Sequence, residues 1–333
     1  VFEGDLDIER LVLAISAETG VSIEAENTLI IFDEIQEVPK ALTSLKYFHE
    51  NAPQYAIVAA GSLLGVALHQ GTSFPVGKVD FLDLYPLNFR EFLCAMGEKQ
   101  FVSMLDSCDT QMVTVFKTKY IERLREYYFV GGMPEVVKDF SEKKDYNRVR
   151  VIQKNLINYY QQDFSKHAEI KLVPRLNLVW NSIPMQLAKE NKKYIYGQVR
   201  EGSRAKDFEL AIQWLLDCGL IHKVQRIQKP DLPLKAYIDF DAFKLFLVDI
   251  GLLIAMTDLD AKVIIEGNKI FTEFKGALTE QYILQQLISD VGVIPYYYST
   301  QNSKGEIDFL VQGKTSVIPI EVKAEENLKA KSL

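Results

Sequence analysis

Cysteine, histidine and long apolar runs are all scarce in this sequence. Their scarcity and spacing argue against a metal site built from Cys or His and against a membrane-spanning protein. Three cysteines are present: Cys94, Cys108 and Cys218. They lack the close spacing of a metal site, and their apolar, helix-like surroundings predict buried thiols in a reducing cytoplasm. The four histidines are scattered without ligand spacing. The longest apolar run, residues 243–256, is interrupted by Lys244 and Asp249, so neither a membrane span nor a membrane partner is expected.

Charge is distributed unevenly along the chain. Residues 143–206 contain 14 Lys and Arg against 5 Asp and Glu, a net of +9, whereas the whole chain has a net charge of −7. This asymmetry is compatible with an anionic partner for the middle segment but does not require one. The chain starts with Val1 rather than Met and stops just after a charged stretch, which suggests a piece of a longer protein.

The stretch from Thr28 to Glu34 organises the rest of the interpretation. A continuous apolar run of strand length ends in Asp33 and Glu34, which predicts a strand buried on both faces of a parallel α/β sheet. Ligands of such sheets bind beyond the carboxyl ends of the strands. Two acids at that position are typical of a Walker B element, in which the first holds Mg²⁺ and the second activates water. A core strand that ends in a solvated acidic turn has the same pattern.

A second predicted strand, residues 55–60, ends in Gly61 and Ser62. In an ATPase sheet the strand beside Walker B often ends in a polar residue that senses the γ-phosphate, and Ser62 is placed for that role. A serine that caps a turn gives the same sequence.

Hydrophobic periodicity predicts the other elements. Helices are expected at residues 5–18, 39–50, 88–96, 206–218 and 271–288, with residues 98–189 helical throughout apart from a Gly-Gly-Met-Pro interruption. Further strands are expected at residues 79–84, 220–224, 294–299, 306–311 and 317–322. A helix that ends at Gly219 and is followed by a hairpin-like return is the order found in winged helices.

Several ordered segments resemble a family of bacterial and archaeal AAA-type ATPases that have a C-terminal domain of unknown function. These segments are residues 29–36, 59–62 and 80–92, the Gly-Gly-Met-Pro turn at 131–134, and residues 318–323. The resemblance spans essentially the whole chain. It implies that Asp33 and Ser62 contact MgATP, that Asp33 holds the metal and that Glu34 is catalytic.

One departure from the family pattern is decisive for activity. The family has a P-loop before the region that opens this chain, and no GxxxxGK[ST] motif occurs in the 333 residues. ATP and Mg²⁺ are therefore expected as cofactors of a longer parent protein, with none held tightly by this chain alone. An arginine finger is not assigned, although Lys78 and Arg90 are candidates.

The C-terminal segment contains a second candidate site. Asp308, Glu321 and Lys323 lie on predicted neighbouring strands, where two acids and a lysine can bind a divalent metal through the acids and polarise a phosphodiester. The set resembles the PD-(D/E)xK nuclease core, with Glu280 as its accessory acid. A salt-bridged strand pair in a degenerate copy of that fold is the alternative.

Basic residues cluster around the start of the predicted 206–218 helix: Lys192, Lys193, Arg200, Arg204 and Lys206. Their position suits contacts to nucleic-acid phosphates. The helix itself is strongly apolar, so little of it can face a groove, and many winged helices bind only proteins.

The predicted fold class is α/β, with a partial P-loop-type (AAA) parallel sheet, a helical and winged-helix region, and a small restriction-endonuclease-like α/β domain. The expected boundaries are 1–97, 98–190, 191–257 and 258–333. We expect part of a cytoplasmic AAA-type ATPase that acts on DNA or a protein partner, or forms a homo-oligomer. A metal-dependent nuclease and a non-catalytic interaction module are the alternatives.

Overall fold

The structure, a computed structural model, describes residues 1–62, 77–189, 193–266, 272–300 and 305–324. Its contacts divide the chain into two units. The first contains residues 1–84 together with 214–219, and the second contains residues 85–213 together with 220–333.

The described part of residues 1–84 contains two parallel strands and two α-helices. In chain order its elements are α1 (Ile8–Thr19), β1 (Leu29–Phe32), a 3₁₀ turn (Ile35–Glu37), α2 (Pro39–Asn51) and β2 (Ala56–Ala59). The side chain of Asp7 caps α1 by accepting a hydrogen bond from the backbone N–H of Arg10, and Pro39 starts α2, where a missing N–H costs nothing. The two strands run parallel, as predicted, with Phe32 opposite Ala59.

Strand β1 is buried on one face only, so the prediction of burial on both faces is wrong. Ile30 is 5% exposed, whereas its neighbour Ile31 is 62% exposed and Leu29 is also exposed. The reason is that α1 and α2 form an apolar core with one face of the sheet, through residues such as Leu11 and Phe48. A continuous apolar run does not distinguish these two arrangements, because both faces consist of the same residue types.

Two neighbouring isoleucines of β1 provide a matched test of this burial. Ile30→Ala is expected to lower the free energy of unfolding by about 2–4 kcal/mol, because it leaves a cavity in the core. Ile31→Ala is expected to cost less than about 1 kcal/mol, because the side chain is largely in water. Urea denaturation of the two variants measures the difference. Equal losses would contradict the one-sided packing.

The predicted strand at residues 79–84 is not formed. Residues 79–88 contain no strand, and Leu82 and Leu84 are each 93% exposed. No backbone ladder within the described residues pairs with this segment. An apolar pattern without a neighbouring strand is not sufficient to form one.

The chain from residue 85 onward is mainly helical before its sheet begins. The helices up to the sheet are α3 (Phe89–Ala95), α4 (Lys99–Asp106), α5 (Thr110–Val115), α6 (Lys117–Val130), α7 (Pro134–Lys143), α8 (Tyr146–His167), α9 (Val173–Leu187), α10 (Tyr196–Val199) and α11 (Ala205–Asp217). The helical stretch predicted for residues 98–189 is thus confirmed, including its interruption before Pro134.

Five strands of the second unit form one mixed sheet. They are β3 (Ile221–Ile227), β4 (Ile238–Leu247), β5 (Tyr296–Ser299), β6 (Glu306–Gln312) and β7 (Val317–Ile320), in the order β4-β3-β5-β6-β7. Strand β3 pairs antiparallel with β4 and parallel with β5. Helices α12 (Ile250–Met256), α13 (Ala261–Ile265) and α14 (Thr272–Ser289) lie between β4 and β5 in the chain. The predicted boundary at 257/258 therefore divides strands that share a sheet.

A fully buried carboxylate, that of Asp249, ties the Gly-Gly turn to the helices of this unit. Its Oδ2 atom accepts hydrogen bonds from the backbone N–H of Gly132 at 2.6 Å and from Nε2 of Gln285 at 3.2 Å. Its Oδ1 atom accepts from the backbone N–H of Leu252 at 3.0 Å and so caps α12. Burial raises the pKa of Asp249.

The Gly-Gly turn is glycine because the chain passes too close to its neighbours for any side chain. Gly131 has φ +75°, and a Cβ there would lie 2.2 Å from Oδ1 of Asp249. A Cβ on Gly132 would lie 2.1 Å from the carbonyl oxygen of Leu87. The backbone N–H of Leu87 donates a hydrogen bond to the carbonyl oxygen of Gly132 at 2.7 Å. Two of the resembling segments, residues 80–92 and 131–134, thus meet in a structural core.

The cysteines depart from the prediction. Cys94 and Cys108 are exposed and Cys218 is half-buried, so the expectation of buried thiols is wrong. Cys94 lies on α3 between buried and exposed positions, and sequence periodicity did not resolve which face it occupies.

The helices that the structure describes are too short or too polar for a membrane span.

Candidate functional site

The carboxyl ends of β1 and β2 lie side by side and carry the predicted nucleotide-site residues. The backbone N–H of Ala60 donates to the carbonyl of Phe32 at 2.8 Å, and the N–H of Ile35 donates to the carbonyl of Ala60 at 3.0 Å. Asp33 and Glu34 follow β1 directly and are both exposed, and Ser62, also exposed, follows β2 after two residues. Acids and a hydroxyl at one edge of a parallel pair are suited to contact MgATP.

Glu34 has a backbone conformation that is unusual for its residue type. Its φ of 47° and ψ of 44° lie in the left-handed region, which costs a non-glycine residue about 1–2 kcal/mol. The Oδ1 atom of Asp33 accepts from the Glu34 N–H at 3.0 Å, and Nε2 of Gln36 donates to the Glu34 carboxylate. Strained backbone of this kind often occurs where function fixes the direction of a side chain.

The two candidates for an arginine finger form ion pairs of their own. Nζ of Lys78 lies 3.4 Å from the Glu50 carboxylate, and the guanidinium of Arg90 lies 3.0 Å from Asp106. These contacts do not place either side chain at the strand ends that carry Asp33. A role of Lys78 or Arg90 as an arginine finger stays a prediction.

The C-terminal acids Asp308 and Glu280 meet as the sequence suggested. Asp308 lies on β6 and Glu280 on α14, and the two carboxyl groups lie close enough for the charge of Glu280 to act on Asp308. The backbone N–H of Val322 donates to Oδ2 of Asp308 at 2.7 Å. Burial, followed by the charge of Glu280, raises the pKa of Asp308 to about 7.

A lysine that sequence reasoning did not assign to this site lies between its acids. Lys244 on β4 is 1% exposed, and its Nζ lies 2.6 Å from Oε1 of Glu306 and 3.5 Å from Oε2 of Glu280. The ammonium also sits 4.8 Å from the centre of the Tyr297 ring. Burial alone lowers the pKa of Lys244, but the carboxylates of Glu280 and Glu306 outweigh it, so the pKa is raised.

The remaining predicted residues of this site, Glu321 and Lys323, form an ion pair with each other. They follow β7 rather than lying within it, because the strand ends at Ile320. Asp308 contributes to raising the pKa of Lys323, although the hydrogen bond to Glu321 is the largest cause. The four predicted residues, including Glu280, are thus brought into one region.

The acids do not form a metal site in the part of the chain that the structure describes. No group of three or more His, Cys, Asp or Glu side chains there is arranged to hold a metal ion. The donor chemistry of Asp308 and Glu280 suits a divalent cation, but the ammonium group of Lys244 already lies 3.5 Å from Glu280 and 2.6 Å from Glu306. The arrangement therefore does not fit the metal that the nuclease hypothesis implies.

Asp308 makes stability depend on pH. Its pKa in the folded chain, about 7, lies above its ordinary value of 3.8, so the folded state holds the proton more tightly. This contribution is fully present below about pH 4 and is lost as pH rises towards 7. Asp308→Asn is expected to remove this dependence, which has an upper limit of about 1.4 kcal/mol per pH unit.

Urea midpoints at pH 5 and pH 7.5 measure the effect, and Asp241→Asn, a change to an exposed carboxylate on β4, is the control. The loss of stability from pH 5 to pH 7.5 should be smaller in Asp308→Asn than in the control. An identical loss in the two variants would contradict the protonated Asp308.

The predicted nucleic-acid residues are grouped in the chain before and at the start of α11. Arg200, Arg204 and Lys206 are exposed, and Lys193 is half-buried. Lys192 lies outside the described residues. The predicted order of helix, glycine and hairpin is present, with β3 and β4 as the hairpin, but β3 also pairs with β5 in the larger sheet. The winged-helix assignment and the DNA contact stay predictions.

Family models match three parts of the chain. An AAA domain matches residues 3–93, a domain of unknown function (DUF8612) matches residues 121–263, and another (DUF4143) matches residues 275–333. No curated protein and no solved structure gives a significant match.

The first match agrees with the parallel strands of the first unit. The matches at the two ends support the predicted resemblance to AAA-type ATPases that have a C-terminal DUF4143 domain. The AAA-domain match suggests ATP and Mg²⁺ as ligands of the family.

Sequence reasoning missed Lys244 and Glu306 as members of the C-terminal site. A signal for Lys244 was present, because a lysine within the apolar run 243–256 must find carboxylate partners if the run is buried. Glu306 gave no comparable signal, since it starts a strand after a polar loop.

Proposed function

We propose that the chain supplies the Walker B edge of an AAA-type ATPase whose P-loop lies outside these 333 residues. The observation that carries the proposal is the hydrogen-bonded pair of strand ends, which sets Asp33 and Glu34 beside the segment that leads to Ser62. In this proposal Asp33 holds the metal, Glu34 orients and deprotonates the attacking water, and Ser62 contacts the γ-phosphate. Mg²⁺, when bound, neutralises charge on the phosphates.

The left-handed backbone of Glu34 supports this assignment. The residue turns the chain from β1 into the 3₁₀ turn and keeps its carboxylate exposed at the strand end. Glycine would avoid the steric cost at this position. Glutamate instead supplies a carboxylate at the strand end, and a water-activating base requires such a group.

We propose that ATP hydrolysis in the longer protein is coupled to the second unit, which acts on DNA or on a protein partner. Support comes from the net charge of +9 over residues 143–206 and from three exposed cations, Arg200, Arg204 and Lys206. Contacts to phosphates weaken steeply as salt rises. DNA binding that is strong at low salt and lost at high salt therefore supports DNA as the partner. Absence of binding at low salt supports a protein partner.

Two assays on the longer protein test the proposal and its alternatives together. MgATP hydrolysis is measured in one, and Mg²⁺- or Mn²⁺-dependent nicking of plasmid DNA in the other. The proposal expects hydrolysis without nicking. Nicking that Asp308→Ala abolishes, with no ATP hydrolysis, would replace it with the nuclease alternative. Absence of both activities would leave only the non-catalytic interaction module.

A further inference from the structure

We propose that the ammonium group of Lys244 takes the place of a divalent cation in the acidic cluster of the second unit. The cluster is defined by Glu280, Glu306 and Asp308. On this proposal the wild-type chain holds no divalent metal there, and removing the charge of Lys244 converts the cluster into a metal site.

The geometry around Nζ of Lys244 supports its role as a replacement for a metal ion. The atom lies 2.6 Å from a Glu306 oxygen and 3.5 Å from a Glu280 oxygen, and the Asp308 charge also acts on it. The Glu280 and Glu306 carboxylates lie directly beside the ammonium group, and Asp308 lies close enough to Glu280 for the charge of Glu280 to raise its pKa. An ammonium ion beside these acids excludes a metal by charge repulsion as well as by occupancy.

The burial of the Lys244 side chain also supports this role. Lys244 is 1% exposed, and lysine is almost never buried to that degree unless its charge is compensated. The side chain starts on β4 at one edge of the sheet and reaches Glu306 on β6, with β3 and β5 between the two strands in the sheet order, and Glu280 on α14. Ion pairs with these two acids therefore compensate the buried charge.

The chemistry of the acidic cluster agrees with this role. Carboxylate oxygens are the donors that Mg²⁺ and Mn²⁺ prefer in proteins, and Glu280 and Asp308 are the acids that the nuclease resemblance assigned to such a site. No group of three or more His, Cys, Asp or Glu side chains in the described residues is arranged to hold a metal ion while Lys244 lies among the acids. The ammonium ion beside Glu280 and Glu306 supplies the positive charge that these acids would otherwise need from an external cation.

The test is a titration of the 333-residue chain with Mn²⁺ alone, followed by the electron paramagnetic resonance signal of free Mn²⁺. Each protein is compared with its own Asp308→Asn counterpart, so that binding elsewhere on the surface is subtracted. Wild-type chain is expected to show no Asp308-dependent binding. Lys244→Met is expected to bind one Mn²⁺ at least about 100-fold more tightly than wild type, because a unit positive charge is removed from beside the ligands.

Lys223→Met is the matched control. Lys223 lies on the neighbouring strand β3, and its ammonium also stacks on an aromatic ring, 4.3 Å from the centre of Phe243. No salt bridge to the acidic cluster involves Lys223 in the described part of the chain. Its substitution is therefore expected to leave Mn²⁺ binding unchanged, which separates the loss of the specific cation from a general loss of positive charge.

The proposal is overturned if wild-type chain binds Mn²⁺ in an Asp308-dependent manner, or if folded Lys244→Met does not. Three buried acids without a cation can also prevent folding. In that case Mn²⁺ is expected to restore the circular dichroism spectrum of Lys244→Met, as metal binding does when it is coupled to folding. Failure of Mn²⁺ to restore the fold would equally overturn the proposal.

Discussion

Asp249→Ala is expected to lower the free energy of unfolding by about 4 kcal/mol or more, which makes it the most destabilising single change that we predict. The carboxylate is fully buried and accepts from two backbone N–H groups and one side-chain amide. Each buried donor left without a partner costs about 1–3 kcal/mol. Loss of the carboxylate also frees the Gly-Gly turn from α12.

Asp260→Ala is the matched control, because Asp260 also caps a helix. Its side chain accepts from the backbone N–H of Lys262 at the start of α13, but the residue is exposed. Loss of an exposed cap typically costs about 1 kcal/mol. Guanidinium unfolding curves of the two variants measure the difference. If Asp249→Ala is no more destabilising than Asp260→Ala, the buried network does not stabilise the second unit as described.

Asp249→Asn extends this comparison. Both carboxylate oxygens are used, Oδ1 by Leu252 and Oδ2 by Gly132 and Gln285. An amide has only one acceptor oxygen, and its NH₂ group would face another donor. The asparagine variant is therefore expected to lie between wild type and Asp249→Ala in stability, even though it removes the cost of burying a charge.

In a protein that joins this chain to the proposed P-loop, Glu34→Gln is expected to lower kcat for ATP hydrolysis by about 10²–10⁴-fold, which is the usual contribution of a general base. Glutamine has nearly the same shape as glutamate and can keep the left-handed backbone, but it cannot accept a proton from water. The KM for ATP is expected to change little, because the phosphates are held mainly by the P-loop. Steady-state kinetics with MgATP separate the two parameters.

Glu26→Gln is the control for this prediction, because Glu26 is an exposed carboxylate just before β1 and takes no part in the strand ends. It is expected to leave kcat unchanged. A Glu34→Gln protein with the kcat of the control would remove Glu34 from catalysis and favour the solvated acidic turn.

The sequence predicted most of the first unit because its signals are local. An apolar run that ends in two acids placed β1, and Pro39 placed the start of α2. What the sequence did not reveal was that Ile30 is buried and Ile31 exposed. That difference depends on which face the two helices cover, and an entirely apolar strand does not contain this information.

In the second unit, contacts between residues that are distant in the chain were not predicted from the sequence. Its helices were predicted from periodicity, but the buried charges of Lys244 and Asp249 were interpreted only as interruptions of an apolar run. Their partners are distant in the chain: Gly132 lies 117 residues from Asp249, and Glu306 lies 62 residues from Lys244. A pattern within a short window does not contain such pairings, although a charge inside an apolar run indicates that one must exist.

Calorimetric titration of ATP with Mg²⁺ into the 333-residue chain tests the central claim most directly. The claim is that Asp33, Glu34 and Ser62 form one edge of a nucleotide site that requires a P-loop for binding. Three exposed polar residues without the backbone N–H groups that surround phosphates are expected to give no binding in the micromolar range. Micromolar binding of ATP by this chain would contradict the claim.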